Sequence, residues 1–200
     1  MSPRDPLGGV LVQLRARVDA HFDQALARSP AAFQCAAGCD ACCHVRIGVF
    51  AVEAAPIRQA LAGLARTDPA LRTRVRAQAD DPAHQDRCAL LVDGRCAVYG
   101  ERPLICRSHG LPIAVPTLEP TDDPTASSGQ LRLDHCPLNF QHEPPPRASI
   151  LRLDAVNQPL AVLASLWAQA EPADRSPDPD QRIALADLAR APDDAPSAHK

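Results

Sequence analysis

The chain has 200 residues, 46% of them apolar and 22% charged, and carries a formal net charge of −3. An apolar share of this size excludes a wholly disordered chain, and the slight acidity excludes the broad basic footprint of a nucleic-acid-binding surface. Proline is frequent, at 21 residues, while aromatics make up only 3%, so the core has to be built from Leu, Val, Ile and Ala.

From the N-terminus, Val10, Leu11, Leu14, Val18, Phe22, Ala25 and Leu26 recur at helical spacing, and a helix is predicted from Leu7 to Arg28, stopped by Ser29-Pro30. A thiol-crowded loop follows at residues 35–44, then a short apolar stretch, Val45–Phe50, read as extended. A second helix is predicted over Val52–Ala65, with Pro56 near its first turn. Asp68-Pro69 reads as the N-cap and first residue of a third, running to Ala79. Cys88–Val92 and Arg95–Tyr99 flank Asp93-Gly94, the signature of a β-hairpin with a tight two-residue turn. This reading puts Cys88 and Cys96 on neighbouring strands.

Short strands are predicted at Leu111–Val115 and Leu131–Asp134, separated by a polar, proline-rich loop, Pro116–Gly129. Pro144-Pro145-Pro146 reads as a stiff spacer. A helix between Asp154 and Ala170 carries an apolar stripe of Leu160, Leu163, Leu166 and Trp167. Residues 171–180 read as linker, Gln181–Arg190 as a short helix, and 191–200 as an acidic tail.

The eight cysteines stand out most: Cys35, Cys39, Cys42, Cys43, Cys88, Cys96, Cys106 and Cys136. Met1-Ser2-Pro3-Arg4-Asp5 is not expected to open a signal peptide, and the apolar stretch Leu7–Leu14 is broken by Gln13. No run approaches the ~18–20 apolar residues of a membrane span. A cytoplasmic location without membrane or nucleic-acid partners is therefore expected. Clustered thiols in that compartment point to metal binding or redox chemistry before disulfides.

Thiolate is a soft ligand suited to zinc and to iron–sulfur clusters, and four thiols within residues 35–43 form a compact chelating loop. Eight such ligands suffice for two tetrahedral sites, one four-iron cluster with spares, or a two-metal site. Adjacent Cys42 and Cys43 are expected to point differently and so to serve different ions, or one of them to stand behind the ligands. The spacing Cys35-x3-Cys39-x2-Cys42 is also that with which radical S-adenosylmethionine enzymes hold a cluster. Those enzymes carry the motif after the first strand of a large barrel, whereas here it follows a helix.

The ordered set Cys35-Ala-Ala-Gly-Cys39-Asp-Ala-Cys42-Cys43, Cys88-x7-Cys96-x2-Tyr99, Arg102-Pro103-x2-Cys106-Arg107 and a late Cys136 resembles the YkgJ-type cysteine-cluster family. That family is also called the CxxCxxCC zinc- or iron-chelating domain. The resemblance spans Cys35 to Cys136, with one residue more between the first two thiols than in the family's nominal motif. It implies a metal or cluster as partner. Related clusters occur in flagellin lysine N-methylases, but no glycine-rich nucleotide loop is present here.

Around the thiols, His44, His109 and His135 read as outer donors rather than ligands. Arg102 and Arg107 read as counter-charges to thiolates, against an ordinary salt bridge to Glu101 or another surface acid. Tyr99 caps the hairpin or packs on Pro103. Glu53 is a candidate carboxylate ligand or base, weighed against a solvated surface acid, and Trp167 is core. Asp122, Asp123, Asp193 and Asp194 are given no catalytic role.

The expected architecture is α+β: a small helix-rich domain with a cysteine-rich loop and a short β-hairpin around a metal or Fe–S centre, built from two to four strands and four or five helices. Its parts are an N-terminal helix (1–34), the cysteine-cluster domain (35–142), a supporting helix (143–170), and a linker, short helix and tail (171–200). All eight cysteines are candidate metal ligands, with iron or an iron–sulfur cluster preferred to zinc. An iron–sulfur enzyme, or a thiol redox or metal-handling protein, is the alternative.

Overall fold

Leu11, Leu14, Val18 and Ala25 lie on the buried side of the first helix, α1 (Asp5–Arg28), so the spacing that predicts it also orients it. The computed structural model of the chain describes residues 5–116, 131–170 and 177–193. After α1 comes the cysteine loop with a single 3-10 turn at Ala41–Cys43, then β1 (Gly48–Val49) and α2 (Ala51–Thr67). Pro56 is the sixth residue of α2, past the first turn where it was expected, so it forgoes the bond its N–H would make to Val52 O. Asp68 caps α3 (Pro69–Asp80) as expected, its Oδ1 accepting the Leu71 N–H at 3.0 Å.

The hairpin strands β2 (Leu91–Val92) and β3 (Arg95–Cys96) pair Leu91 with Cys96 and Val92 with Arg95. Asp93 and Gly94 take φ of 51° and 71°, the left-handed pair that a two-residue turn requires. The helix α4 (Leu104–Ser108) carries Cys106. Next, β4 (Ile113–Pro116) runs antiparallel to β5 (Leu131–Asp134) and parallel to β6 (Leu151–Arg152), giving the order β5-β4-β6. The chain continues through α5 (Asp154–Gln169), β7 (Ile183–Ala184) and α6 (Leu185–Arg190).

Two apolar clusters meet along α2. One gathers α1, α4 and α5 around Leu14, Val18, Val52, Leu104, Leu163 and Trp167. The other packs α2, α3, α6 and the hairpin around Ile57, Leu61, Val75, Leu90 and Leu188. Buried Arg72 on α3 holds the far end of α6: it donates to the carbonyls of Ala189 (2.7 Å) and Ala191 (2.8 Å) and to Asp193 Oδ1 (2.6 Å). Those bonds occupy carbonyls that a helix end leaves without an internal partner.

Several expectations change. The described residues contain six α-helices and seven short strands, more than the predicted numbers of each. The hairpin is shorter than predicted, so Cys96 lies on a strand while Cys88 sits in the turn before β2. The segment 181–190 splits: antiparallel pairing of β7 with β1, and the Leu185 N–H donated to Ile47 O at 3.0 Å, hold its first half extended. Val10 and Leu166, placed in apolar stripes by spacing alone, are exposed among the described residues. The loop predicted at 116–129 lies, beyond Pro116, outside the described residues, as do 171–176 of the linker and 194–200 of the tail.

Candidate metal centre

All eight cysteines are free thiols: Cys39 and Cys42 are exposed and the other six half-buried, so the expectation of a buried thiol centre holds only in part. Backbone bonds shape the cysteine loop: Cys39 N–H donates to Ala36 O (3.0 Å) and Cys43 N–H to Asp40 O (2.7 Å). The Cys88 N–H then donates to Cys43 O at 2.7 Å, tying the loop to the approach of the hairpin. Asp40 also faces His44, with Oδ1 and Nε2 3.4 Å apart, in keeping with an outer role for that histidine.

One group of thiols collects from the loop, the hairpin and α4. Burial pushes Cys106 up to about 12, the charges of Cys88, Cys96 and Cys42 add to the rise, and Arg102 opposes it. Burial likewise pushes Cys88 up to about 11, with Cys96 and Cys42 contributing. Cys96 is raised by burial and by Cys42, and lowered by the Val98 N–H and Arg102. Cys42 is raised well above the ordinary thiol value, first because its thiol hydrogen-bonds to that of Cys43. The two adjacent thiols lie in the 3-10 turn at Ala41–Cys43 and interact with each other.

A second group surrounds Cys35. Its thiol is raised by burial and by Cys136, Cys39 and Cys42, and lowered by a hydrogen bond from Asn139 Nδ2 at 3.3 Å. Asn139 also donates to Gly110 O (2.8 Å) and accepts the Gln34 N–H (2.8 Å), while its backbone N–H closes a turn on Cys136 O (2.9 Å). Gly110 has φ of 94°, and a Cβ there would stand 2.6 Å from Cys35 Sγ. Phe33 and Phe140 pack edge to face beside this group, ring centroids 5.0 Å apart, and Phe140 meets the His135 ring at 5.8 Å.

The two arginines around Cys106 have different work. Arg102 stacks over Tyr99, 3.6 Å from the ring centroid, and its charge reaches Cys42, Cys96 and Cys106, as expected of a counter-charge. Arg107 is occupied elsewhere: it bonds Asp19 Oδ2 (2.5 Å), Gly100 O (2.5 Å) and Arg102 O (2.8 Å), locking α4 to α1. Glu101 pairs with Arg15 at 2.6 Å, not with either of them.

Glu53 is not a solvated surface acid: its carboxylate is buried and engaged by the backbone of α4. It is 2% exposed, and its Oε1 accepts the N–H of Leu104 at 2.9 Å, capping the helix that carries Cys106. Burial raises its carboxyl above the ordinary range, against backbone N–H groups of Leu104 and Phe50 and the charges of Arg15 and Arg182. His109 is held below its ordinary value by burial. Trp167 is buried in the α1–α5 core, as predicted. Asp122, Asp123 and Asp194 lie outside the described residues.

The sequence reading missed Asn139 and Gly110. The available signal was local: Cys136-Pro137-Leu138-Asn139 is a turn with an amide side chain three residues after a thiol, and His109-Gly110 places a glycine where only φ above zero serves.

Among the described residues, no three His, Cys, Asp or Glu side chains are assembled in metal-holding geometry. The donor chemistry nonetheless suits a soft or borderline ion, since thiolate is a soft ligand and the charge of Arg102 acts on Cys42, Cys96 and Cys106. No helix among the described residues is long and apolar enough to cross a membrane. None of the curated proteins and none of the solved structures compared matches the chain. Residues 34–126 match the family model described as "CxxCxxCC: Putative zinc- or iron-chelating domain". That segment, less than half of the chain, contains seven of the eight cysteines, the loop, the hairpin and α4, and is similar to the CxxCxxCC zinc- or iron-chelating domain.

Proposed function

We propose that this domain is a cytoplasmic metal-binding unit that holds iron, as an iron–sulfur cluster, in preference to zinc. Cys39, Cys42, Cys43, Cys88, Cys96 and Cys106 are its leading ligands, with Cys35 and Cys136 next. The observation that carries the reading is the match of residues 34–126, with seven of the cysteines, to the zinc- or iron-chelating domain, beside a loop tied to the hairpin's approach by the Cys88 N–H on Cys43 O at 2.7 Å. Thiols brought together from a loop, a hairpin and a helix repel one another once ionised, and a bound cation removes that repulsion. The number of thiols and the adjacent pair favour iron, whose clusters bind several cysteines at once. The metal-binding unit runs over residues 35–142, with 1–34 and 143–170 bracing it and 171–200 outside it.

A bound metal would supply folding free energy and, if an iron–sulfur cluster, one-electron chemistry. The thiols would give up their protons on binding, with Arg102 balancing the sulfurs' charge and Glu53 fixing the helix of Cys106. A metal-handling or thiol-redox role is the second reading, supported by the exposure of Cys39 and Cys42.

The test is metal and acid-labile sulfide analysis of anaerobically purified protein, with its visible spectrum. Brown protein with matching iron and sulfide supports the cluster. Colourless protein holding zinc without sulfide shifts the assignment to zinc. Protein that holds neither after careful purification sinks the metal reading.

A further inference from the structure

The strand β5 (Leu131–Asp134) ends the order β5-β4-β6, and all four of its residues are exposed. Which of its backbone groups face outward follows from β4. The Leu151 N–H donates to Pro112 O (2.8 Å) and the Leu153 N–H to Ala114 O (3.2 Å), so Pro112 and Ala114 face β6. Neighbours along a strand turn their backbone groups to opposite sides, which leaves Ile113 and Val115 facing β5. Their register partners Asp134 and Arg132 therefore bond to β4, while Leu131 and Leu133 turn N–H and C=O to the open edge. Among the described residues, β4 is the one strand that pairs with β5.

An open edge is a template for a further strand unless lysine, proline, a bulge or a charge blunts it. Leu131–Asp134 contains no lysine or proline, and its register against β4 runs without a bulge. Its two charges are opposite in sign, so they reject only the wrong pairing. Arg132 and Asp134 share one face of β5, Nη2 and Oδ2 3.7 Å apart, and Leu131 and Leu133 share the other. In an antiparallel, two-fold pair of copies centred on Leu133, each Arg132 lies opposite the Asp134 of the other copy. The neighbouring registers centre on Arg132 or on Asp134 and set like charges face to face, which is destabilising.

We propose that β5 is a homodimerisation edge: two copies pair β5 against β5, antiparallel about Leu133, and join their three-stranded sheets into one. The two Leu133 residues exchange N–H and C=O bonds. The two Arg132–Asp134 pairs fall at the positions between those bonds, where side chains on facing strands stand closest. Leu131 and Leu133 of both copies meet on the opposite face. Strands this short make a small interface, so the dimer is weak and concentration-dependent. It lies outside residues 34–126 and does not depend on what the cysteines hold.

The test is sedimentation equilibrium of the full-length chain over a range of concentrations, in reductant so that no disulfide links copies. The wild type is expected to pass from monomer to dimer. Arg132→Asp and Asp134→Arg should each weaken the dimer about 10–100-fold, since each sets like charges opposite at both positions. An equimolar mixture of those two variants should dimerise again, because every Asp then meets an Arg. Leu133→Pro removes an N–H that β4 does not use, so it should keep the fold, read by circular dichroism, and abolish the dimer. Should that variant fail to fold, the two exposed charge variants and their mixture decide.

A wild type still monomeric at about 1 mM overturns the proposal and leaves the edge to a strand of a different protein. A dimer that none of these variants weakens lies on another surface, and overturns it equally. If each charge variant weakens the dimer but their mixture does not recover it, the pairing about Leu133 is wrong.

Discussion

The Leu104 N–H ends on Glu53 Oε1, 2.9 Å away, so a carboxylate at the start of α2 caps the short helix that carries Cys106. A five-residue helix has little stability of its own, and this buried bond sets where it begins. Glu53→Ala should destabilise the metal-free chain by about 1.5–3 kcal/mol, the range for a hydrogen bond to a charged group. Glu53→Gln keeps an oxygen acceptor and should lose much less. Because burial raises the Glu53 pKa, its contribution is present at low pH and declines as pH rises through the folded value. The Gln variant should therefore close the gap with wild type, or overtake it, as pH increases. Chemical denaturation of the three proteins across the acid-to-neutral range measures this; a gap that widens with pH contradicts it.

Arg102 and Arg107 separate charge balance from packing. Arg102→Ala should raise the thiol pKa of Cys96 and Cys106 further and lower metal affinity, with a small effect on melting temperature. Arg107→Ala should instead lower the melting temperature, since it loses bonds to Asp19, Gly100 and Arg102, and leave thiol titration nearly unchanged. Thiol titration by ultraviolet absorbance, beside thermal denaturation, distinguishes them. If both arginines shift both readouts equally, the division of roles is wrong.

Metal uptake should release protons. Cys88, Cys96 and Cys106 lie above the ordinary thiol value, so at neutral pH each is protonated and must lose its proton to bind metal. Calorimetry in buffers of different ionisation enthalpy should detect about one proton per ligating cysteine. The metal-free fold has the opposite dependence. With Cys88 near 11 and Cys106 near 12 when folded, against an ordinary 9.0, stability is full below pH 9 and falls as pH rises through 11 to 12. Cys88→Ser and Cys106→Ser should each flatten that fall.

Gly110→Ala probes the Cys35 sulfur directly. The new Cβ would meet Sγ at 2.6 Å on a backbone with φ of 94°. A non-glycine residue at such a φ costs about 1–3 kcal/mol before the clash is counted. Equilibrium unfolding measures the loss, and the rate of Cys35 modification by a thiol reagent should rise as the sulfur is pushed from Asn139. A variant as stable as wild type with an unchanged rate would refute this packing.

By itself, the sequence determined what depends on neighbours along the chain. The 3.6-residue spacing of Leu11, Leu14, Val18 and Ala25 located α1, Asp68-Pro69 marked the start of α3, and Asp93-Gly94 defined the hairpin turn. The thiol motifs carried the resemblance to the CxxCxxCC domain for the same reason, since their spacing is local. Tertiary structure decided what depends on residues distant in sequence: β1 drawing Ile183 into a strand, and Glu53 capping a helix 51 residues away. Asn139 reaching Cys35 across 104 residues is of the same kind. Such contacts form only when packing brings their elements together, so they leave no periodicity for a linear reading to find. The association of individual thiols is set by these contacts, which is why the sequence revealed eight candidate ligands but not their grouping.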